Sequence, residues 1–182
     1  MFDTTNKDKM YEMKDNVIWT AEMPTGILMP LKPHKFLGFE EVPQDKLKHP
    51  NVQTQLPTRA DSGSAGYDFY SKETVTIEPR DSHLFWSDVC SYMNAMNTHL
   101  ELHVRSSIGV KKGLMLKNIT GIIDASYYPN NIGICLYNNS DVPVTIESGE
   151  RIAQGIFKHH LLADDDIPLL KERTGGFGSS NR

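Results

Sequence analysis

Arg173, Phe177, Ser179 and Ser180 stand in a glycine-rich run, Arg-Thr-Gly-Gly-Phe-Gly-Ser-Ser, near the last residue of this 182-residue sequence. Its glycines, Gly178 among them, free the backbone to adopt positive φ and approach a phosphate. Arg173 can fork onto phosphate oxygens, and Phe177 offers a ring face to a base. Taken alone, such a run also reads as a disordered tail. Arg105-Ser106-Ser107 sits where a strand should end and a short helix begin, which turns two hydroxyls and the first free N–H groups the same way and makes an anion site. Alone, it is a serine N-cap beside a surface arginine. Asp124 closes the apolar run Gly121-Ile122-Ile123 and has the chemistry of a general base for water, with Tyr127 placed to pack its ring on a sugar. Alone, it is a turn former. Asp68, in Ala65-Gly66-Tyr67-Asp68-Phe69, and Gln154, in Arg151-Ile152-Ala153-Gln154, are polar side chains within apolar strands, a setting that by itself needs only a solvent-facing side.

The elements that must position these groups are short stretches of β-formers divided by turn residues, the pattern of an all-β sandwich or barrel. Strands are expected at residues 39–42, 67–70, 74–77, 84–89, 100–104, 114–116, 121–123, 132–137, 142–146 and 151–157. Residues 100–104 and 142–146 alternate as half-buried strands do. Only residues 106–112, stopped by Gly113, read as helical in this region. Residues 125–132 read as a hairpin tip. Before residue 38 the composition changes. Five of the eight methionines, Asp/Lys clusters and Pro24, Pro30 and Pro33 mark an N-terminal extension, residues 1–37. Residues 7–15 allow a short helix, and the prolines then impose an extended, irregular path. The expected organisation is this extension, a β domain over residues 38–172 and a flexible C-terminal arm over residues 173–182.

Composition narrows the function classes. A net charge of −4 argues against a broad nucleic-acid surface, while a few arginines still suffice for a pocket that takes a small anion. Cys90 and Cys135 lack Cys-x-x-Cys spacing, so they suggest buried thiols in a reducing compartment. No apolar run near the start is long enough for a signal peptide or spanning helix, so the expectation is a soluble, cytoplasmic protein without membrane contact. His99 and His103 have the spacing of a helical metal pair, but on a strand they stand roughly 13 Å apart. Asp164-Asp165-Asp166 reads as a solvated charge run.

The five groups occur in the order of the five motifs of trimeric deoxyuridine triphosphatases, and from about Gly38 to Ser180 the chain resembles that family. The resemblance implies a jelly-roll-like β-barrel, or β-clip, that assembles as a homotrimer with shared sites and hydrolyses dUTP to dUMP and pyrophosphate with Mg²⁺. It would keep uracil out of DNA and supply dUMP for thymidylate synthesis. Asp124 would activate the water that attacks the α-phosphorus, and Arg105 would help hold that carboxylate. Ser106, the backbone of Ser107 and Gln154 would contact the phosphate chain. Asn118 and the backbone near Asp124, including Gly121 and Ile123, would read the uracil edge, and Tyr127 would stack on the deoxyribose. Arg173, Ser179 and Ser180 would contact the γ-phosphate while Phe177, beside Gly178, covers the base. Asp68 would reach Mg²⁺ through water, the metal being held chiefly by the phosphates.

The chain departs from the family pattern at Ser126, where an acidic residue is common, at Asn130-Asn131, which lengthen the tip, and in a terminal motif one residue short. Two alternatives stand beside dUTP hydrolysis. A dCTP deaminase shares the fold and the Arg-Ser-Ser turn but uses a glutamate where this chain has Cys135-Leu136-Tyr137-Asn138, and a thiol is no substitute for that proton shuttle. A regulatory homologue would instead dock a protein partner, and the Met-rich extension is the feature that would serve it.

Overall fold

The structure is a computed structural model and describes residues 9–14, 17–22, 35–95 and 97–166. The chain divides into two units, Met1–Phe36 and Leu37–Arg182. In the first, β1 (Lys9–Lys14) and β2 (Val17–Glu22) pair antiparallel from Lys9 opposite Glu22 to Lys14 opposite Val17. The short helix expected near residues 7–15 is therefore not formed. Val17, Ile18, Trp19 and Thr20 are β-branched or aromatic, and such residues favour a pleated ribbon over a helix.

The second unit holds β3 (Leu37–Glu41), β4 (Thr58–Arg59), β5 (Tyr67–Tyr70), β6 (Val75–Ile77), β7 (Ser82–Trp86), β8 (Val89–Met93) and β9 (Thr98–Val104). It continues with β10 (Leu114–Leu116), β11 (Gly121–Asp124), β12 (Gly133–Asn138), β13 (Val144–Ile146) and β14 (Arg151–His159). A five-stranded sheet runs β11-β9-β14-β5-β4, a three-stranded sheet β10-β12-β7, and two pairs, β13-β6 and β3-β8, complete an all-β fold. Strand β9 shows why the sequence folds this way. Leu100 and Leu102 are buried while His99, Glu101 and His103 between them face outward, the period of two that a half-buried sheet demands. The core gathers Phe69, Leu100, Leu102, Ile134, Leu136 and Ile152, all at most 2% exposed. Gly155 on β14 lets the layers meet, since a Cβ there would lie 2.9 Å from both Leu100 and Phe69.

Two further expectations are corrected. The single strand over residues 84–89 is two strands, β7 and β8, divided at Ser87-Asp88, where Asp88 adopts a left-handed φ of 56°. The apolar pattern continues through this corner and hides it. Nor do residues 125–132 tip a hairpin: β11 pairs with β9, whereas β12 pairs with β10 and β7. The segment crosses between sheets through a 3₁₀ turn at Ala125–Tyr127. The helix after β9 is a single π-helical turn, Ser107–Lys111, followed by Gly113 with φ of 69°. Among the described residues no helix is long and apolar enough to cross a membrane.

Candidate active site

Because β11 and β12 part company, a cavity of about 450 Å³ opens between them, lined by Leu116, Lys117, Asn118, Gly121, Ile122, Ile123, Tyr127, Gly133, Ile134 and Cys135. Strand β11 is the outer strand of its sheet, so every second backbone N–H and C=O along it points away from β9. Opposite, β10 covers only the second half of β12, from Leu136 to Asn138, and the Lys117 N–H takes the Cys135 carbonyl at 2.9 Å. The stretch at Gly133 and Ile134 is left to face the slot. Gly121 keeps it open, since a Cβ there would press on Leu102 at 3.1 Å.

Tyr127 is buried at the base of the slot, its phenol donating to the Asn131 carbonyl at 2.8 Å. Asp124 ends β11 opposite His99 and makes no side-chain capping bond to the 3₁₀ turn that follows, so it does not serve as a turn cap. Asn118, Gly121, Ile123 and Tyr127, singled out by sequence, thus share one cavity, while Asp124 does not line it and follows Ile123 as the last residue of β11.

A second group lies on the outward face of the five-stranded sheet. Asp68 is 4% exposed and binds two guanidiniums: Arg105 Nε lies 2.9 Å from Oδ1 and Arg151 Nη1 donates to Oδ2 at 3.3 Å. Gln154 stands between Asp68 on β5 and His103 on β9 in the pairing register. Gly66 makes room for it, because a Cβ at 66 would meet Gln154 Oε1 at 2.7 Å. After β9, the N–H groups of Ile108 and Gly109 both reach the Arg105 carbonyl, at 3.0 and 2.8 Å. The earlier N–H groups of Ser106 and Ser107 have no carbonyl one turn back to accept them, and Ser106 makes no side-chain capping bond. The turn thus carries Arg105 into the ion pairs of Asp68, where two guanidiniums against one carboxylate leave a net positive charge that suits an anion.

The two groups do not meet within one chain. Asp124 and Asp68 are three strand spacings and four residues apart in the ladder, roughly 20 Å. Arg105 consequently engages Asp68 within its own chain rather than the Asp124 carboxylate assigned to it from sequence. The pairing of Arg151 with Asp68 escapes a sequence reading, although Arg151 begins the same strand as Gln154. Arg173, Phe177, Gly178, Ser179 and Ser180 lie outside the described residues. His99 and His103 are bridged by a carboxylate: Glu101 lies 3.2 Å from His99 Nε2 and 3.1 Å from His103 Nε2, and Lys158 donates to it at 2.5 Å. These contacts, Lys158 first, hold the Glu101 carboxyl at about 2. Among the described residues no group of three His, Cys, Asp or Glu side chains is arranged to hold a metal ion.

Fold and site define a β protein with a slot between two strands and, apart from it, a sheet face on which two arginines share one buried aspartate. The dUTPase family model matches residues 53–181, and the chain belongs to that family. It is 42% identical over 152 residues to the deoxyuridine 5'-triphosphate nucleotidohydrolase of Lactococcus lactis, a match covering 80% of this chain and 98% of that one. The dUTPase crystal structure from Streptococcus mutans aligns with a TM-score of 0.60 at 36% identity, covering 70% of this chain and 98% of the other. A mutant dUTPase of Staphylococcus bacteriophage 80alpha with dUpNHpp aligns with a TM-score of 0.57 at 26% identity, over 81% of this chain and 99% of that one.

Proposed function

We infer that this protein hydrolyses dUTP to dUMP and pyrophosphate. The observation that carries the inference is the slot between β11 and β12, lined by Asn118, Gly121, Ile123 and Tyr127, on a chain of the dUTPase family in which Asp124 closes β11 next to that lining. Backbone donors and acceptors in line, with the Asn118 amide, suit the imide edge of uracil, and the Tyr127 ring suits the face of a deoxyribose. At the α-phosphorus a water oxygen forms the new P–O bond while the bond to the α,β-bridging oxygen breaks. Asp124 takes the water's proton, and pyrophosphate leaves.

Arg105, Ser106, Ser107 and Gln154 bind the phosphate chain by charge-assisted hydrogen bonds, and Arg173, Ser179 and Ser180 reach the γ-phosphate as Phe177, beside Gly178, closes over the base. Because roughly 20 Å separates Asp124 from the Asp68 group in one chain, the complete site takes its slot from one subunit and its phosphate surface from another, and the homotrimer that the family resemblance implies would bring the two together. Any contact of Arg105 with Asp124 is then made across subunits. Mg²⁺ fits as an ion carried by the substrate: a triphosphate offers hard oxygen ligands, and the Asp68 carboxylate, held by two guanidiniums, would meet it only through water. When bound, it neutralises phosphate charge. The slot carries the Cys135 thiol where deamination would need a carboxylate, which favours hydrolysis. The role that we propose for this chemistry is to limit uracil in DNA and supply dUMP, in the cytoplasm.

Incubation of the protein and Mg²⁺ with dUTP, dCTP, dTTP and UTP in turn, with products separated by ion exchange, tests the inference. Conversion of dUTP alone to dUMP and pyrophosphate is expected. Uracil nucleotides appearing from dCTP would establish deamination instead, and no turnover at all would move the function to binding.

A further inference from the structure

The ring of Tyr127 is held from outside the slot. Its phenol donates to the Asn131 carbonyl, so the position of Asn131 fixes the phenol end of a ring that also packs in the core. The Asn131 amide is bonded at both ends: Nδ2 donates to Asp88 Oδ1 at 2.6 Å and to the Lys46 carbonyl at 3.1 Å, and Oδ1 accepts the Asp88 N–H at 3.0 Å. This reciprocal pair fixes both the place and the orientation of the side chain.

Asp88 is a hub. Its side chain is 0% exposed and lies 3.0 Å from the ammonium of Lys72, itself 5% exposed. It also accepts the N–H groups of Lys48 and His49 at 2.8 and 2.9 Å, and His49 Nδ1 lies 3.3 Å away. Burial alone would raise the carboxyl's pKa, but the Lys48 N–H, Lys72, Asn131 and the His49 N–H outweigh it and hold the pKa below the ordinary value. A buried ion pair of this kind is a poor device for stability, since apolar residues of similar volume commonly do as well or better. It is a good device for position, because each contact is directional. Two neighbours of Asn131 are tied to the same region: Lys46 donates to Asn130 Oδ1 at 2.7 Å and the Tyr128 phenol to Glu40 at 2.5 Å.

We propose that Asp88 and Asn131 are positioning residues for the nucleobase slot, and that through the Asn131 carbonyl they set the tilt of Tyr127 and with it the preference for a deoxyribose over a ribose. This rests on the sugar-packing role of Tyr127 inferred above. Neither residue touches substrate; both act through Tyr127.

The test measures kcat and KM for dUTP and UTP, the Kd of dUpNHpp, and Tm in Asn131→Ala, Asn131→Asp, Asp88→Asn and the double variant Asp88→Asn/Asn131→Asp. Removing the anchoring hydrogen bonds in Asn131→Ala should raise KM for dUTP about tenfold, leave kcat within about twofold, and lower the dUTP-to-UTP ratio of kcat/KM about tenfold. Asn131→Asp sets two carboxylates face to face and should reduce that ratio further. The double variant restores a donor opposite an acceptor but leaves the Lys46 carbonyl without its donor and the Lys72 ammonium without its carboxylate, so it should recover only part of the selectivity lost in Asn131→Asp. Asn131→Ser gives the same readout should the alanine variant not fold. Selectivity equal to wild type in every variant, with only Tm lowered, would overturn the proposal. A wild type that neither binds dUpNHpp nor turns over dUTP would instead remove the assigned function, and this inference with it.

Discussion

The slot and the outward face of the five-stranded sheet handle polarity in opposite ways. The slot is lined by β11 and β12 and by one aromatic ring, whose phenol bonds Asn131, itself bonded to a buried carboxylate. On the sheet face, side chains carry the polarity: Arg151 is 46% and Arg105 23% exposed, and they share a single buried acid, Asp68. The contrast has a physical reason. A base is discriminated by shape and by fixed donors and acceptors, which backbone supplies without rotamer entropy. A phosphate chain is held by charge, and long guanidinium side chains can follow it while it reacts.

The sharpest way to break the comparison is to disable each region separately. Asp124→Asn should cut kcat by about 10²–10⁴-fold, the usual contribution of a general base, while dUpNHpp still binds. Wild-type turnover in that variant would remove Asp124 from its role. Co-expressing inactive Asp124→Asn subunits with inactive Arg105→Gln subunits should then restore measurable turnover, because some sites receive an intact slot and an intact phosphate surface from different chains. A mixture as dead as its parents would place both halves of each site in one chain.

Removing residues 173–182 should leave the melting transition of the β domain in place and lower kcat/KM at least about tenfold for each hydrogen bond to phosphate that the arm supplies. Undiminished kcat/KM would free the arm of its assigned role. A smaller effect, on stability alone, is expected from Gly155→Ala, whose Cβ would meet Leu100 and Phe69 at 2.9 Å. Overpacking of that kind costs about 1–3 kcal/mol, readable in urea unfolding, and an unchanged midpoint would show that the two layers can shift apart.

The smallest effect concerns pH. Glu101 is held at about 2 against an ordinary 4.5, so its stabilising contribution is complete above pH 4.5 and is lost as pH falls toward 2. Glu101→Gln should remove that part of the acid dependence of Tm, and an identical slope in the variant would mean that Lys158, His99 and His103 do not stabilise the carboxylate.

Much of this is legible along the chain, for identifiable reasons. Residues 100–104 alternate strictly, and β9 forms there. Gly113 reads as a helix stop and adopts the positive φ that stops one. The Asp88 corner is not legible, because Phe85 and Val89 on either side continue an apolar pattern and a lone aspartate between them resembles a surface residue. The same holds for Asn131, whose partners are 43 and 85 residues away in sequence. The N-terminal ribbon escapes notice because a Met- and Lys-containing segment is neutral between states until a second strand pairs with it.

By itself the sequence determined which chemical groups exist and in what order: a carboxylate after an apolar strand, an Arg-Ser-Ser turn, and polar residues set into strands. These are local properties, decided by residue type and by the two-residue period of a strand. Only the tertiary structure decided that β11 and β12 join different sheets and so leave a slot. It alone paired Arg105 and Arg151 with Asp68, roughly 20 Å from Asp124, and set a buried aspartate behind the ring of Tyr127. Each is a pairing between distant segments, selected by which strand edges and which buried charges can be satisfied together, and no local pattern carries that information.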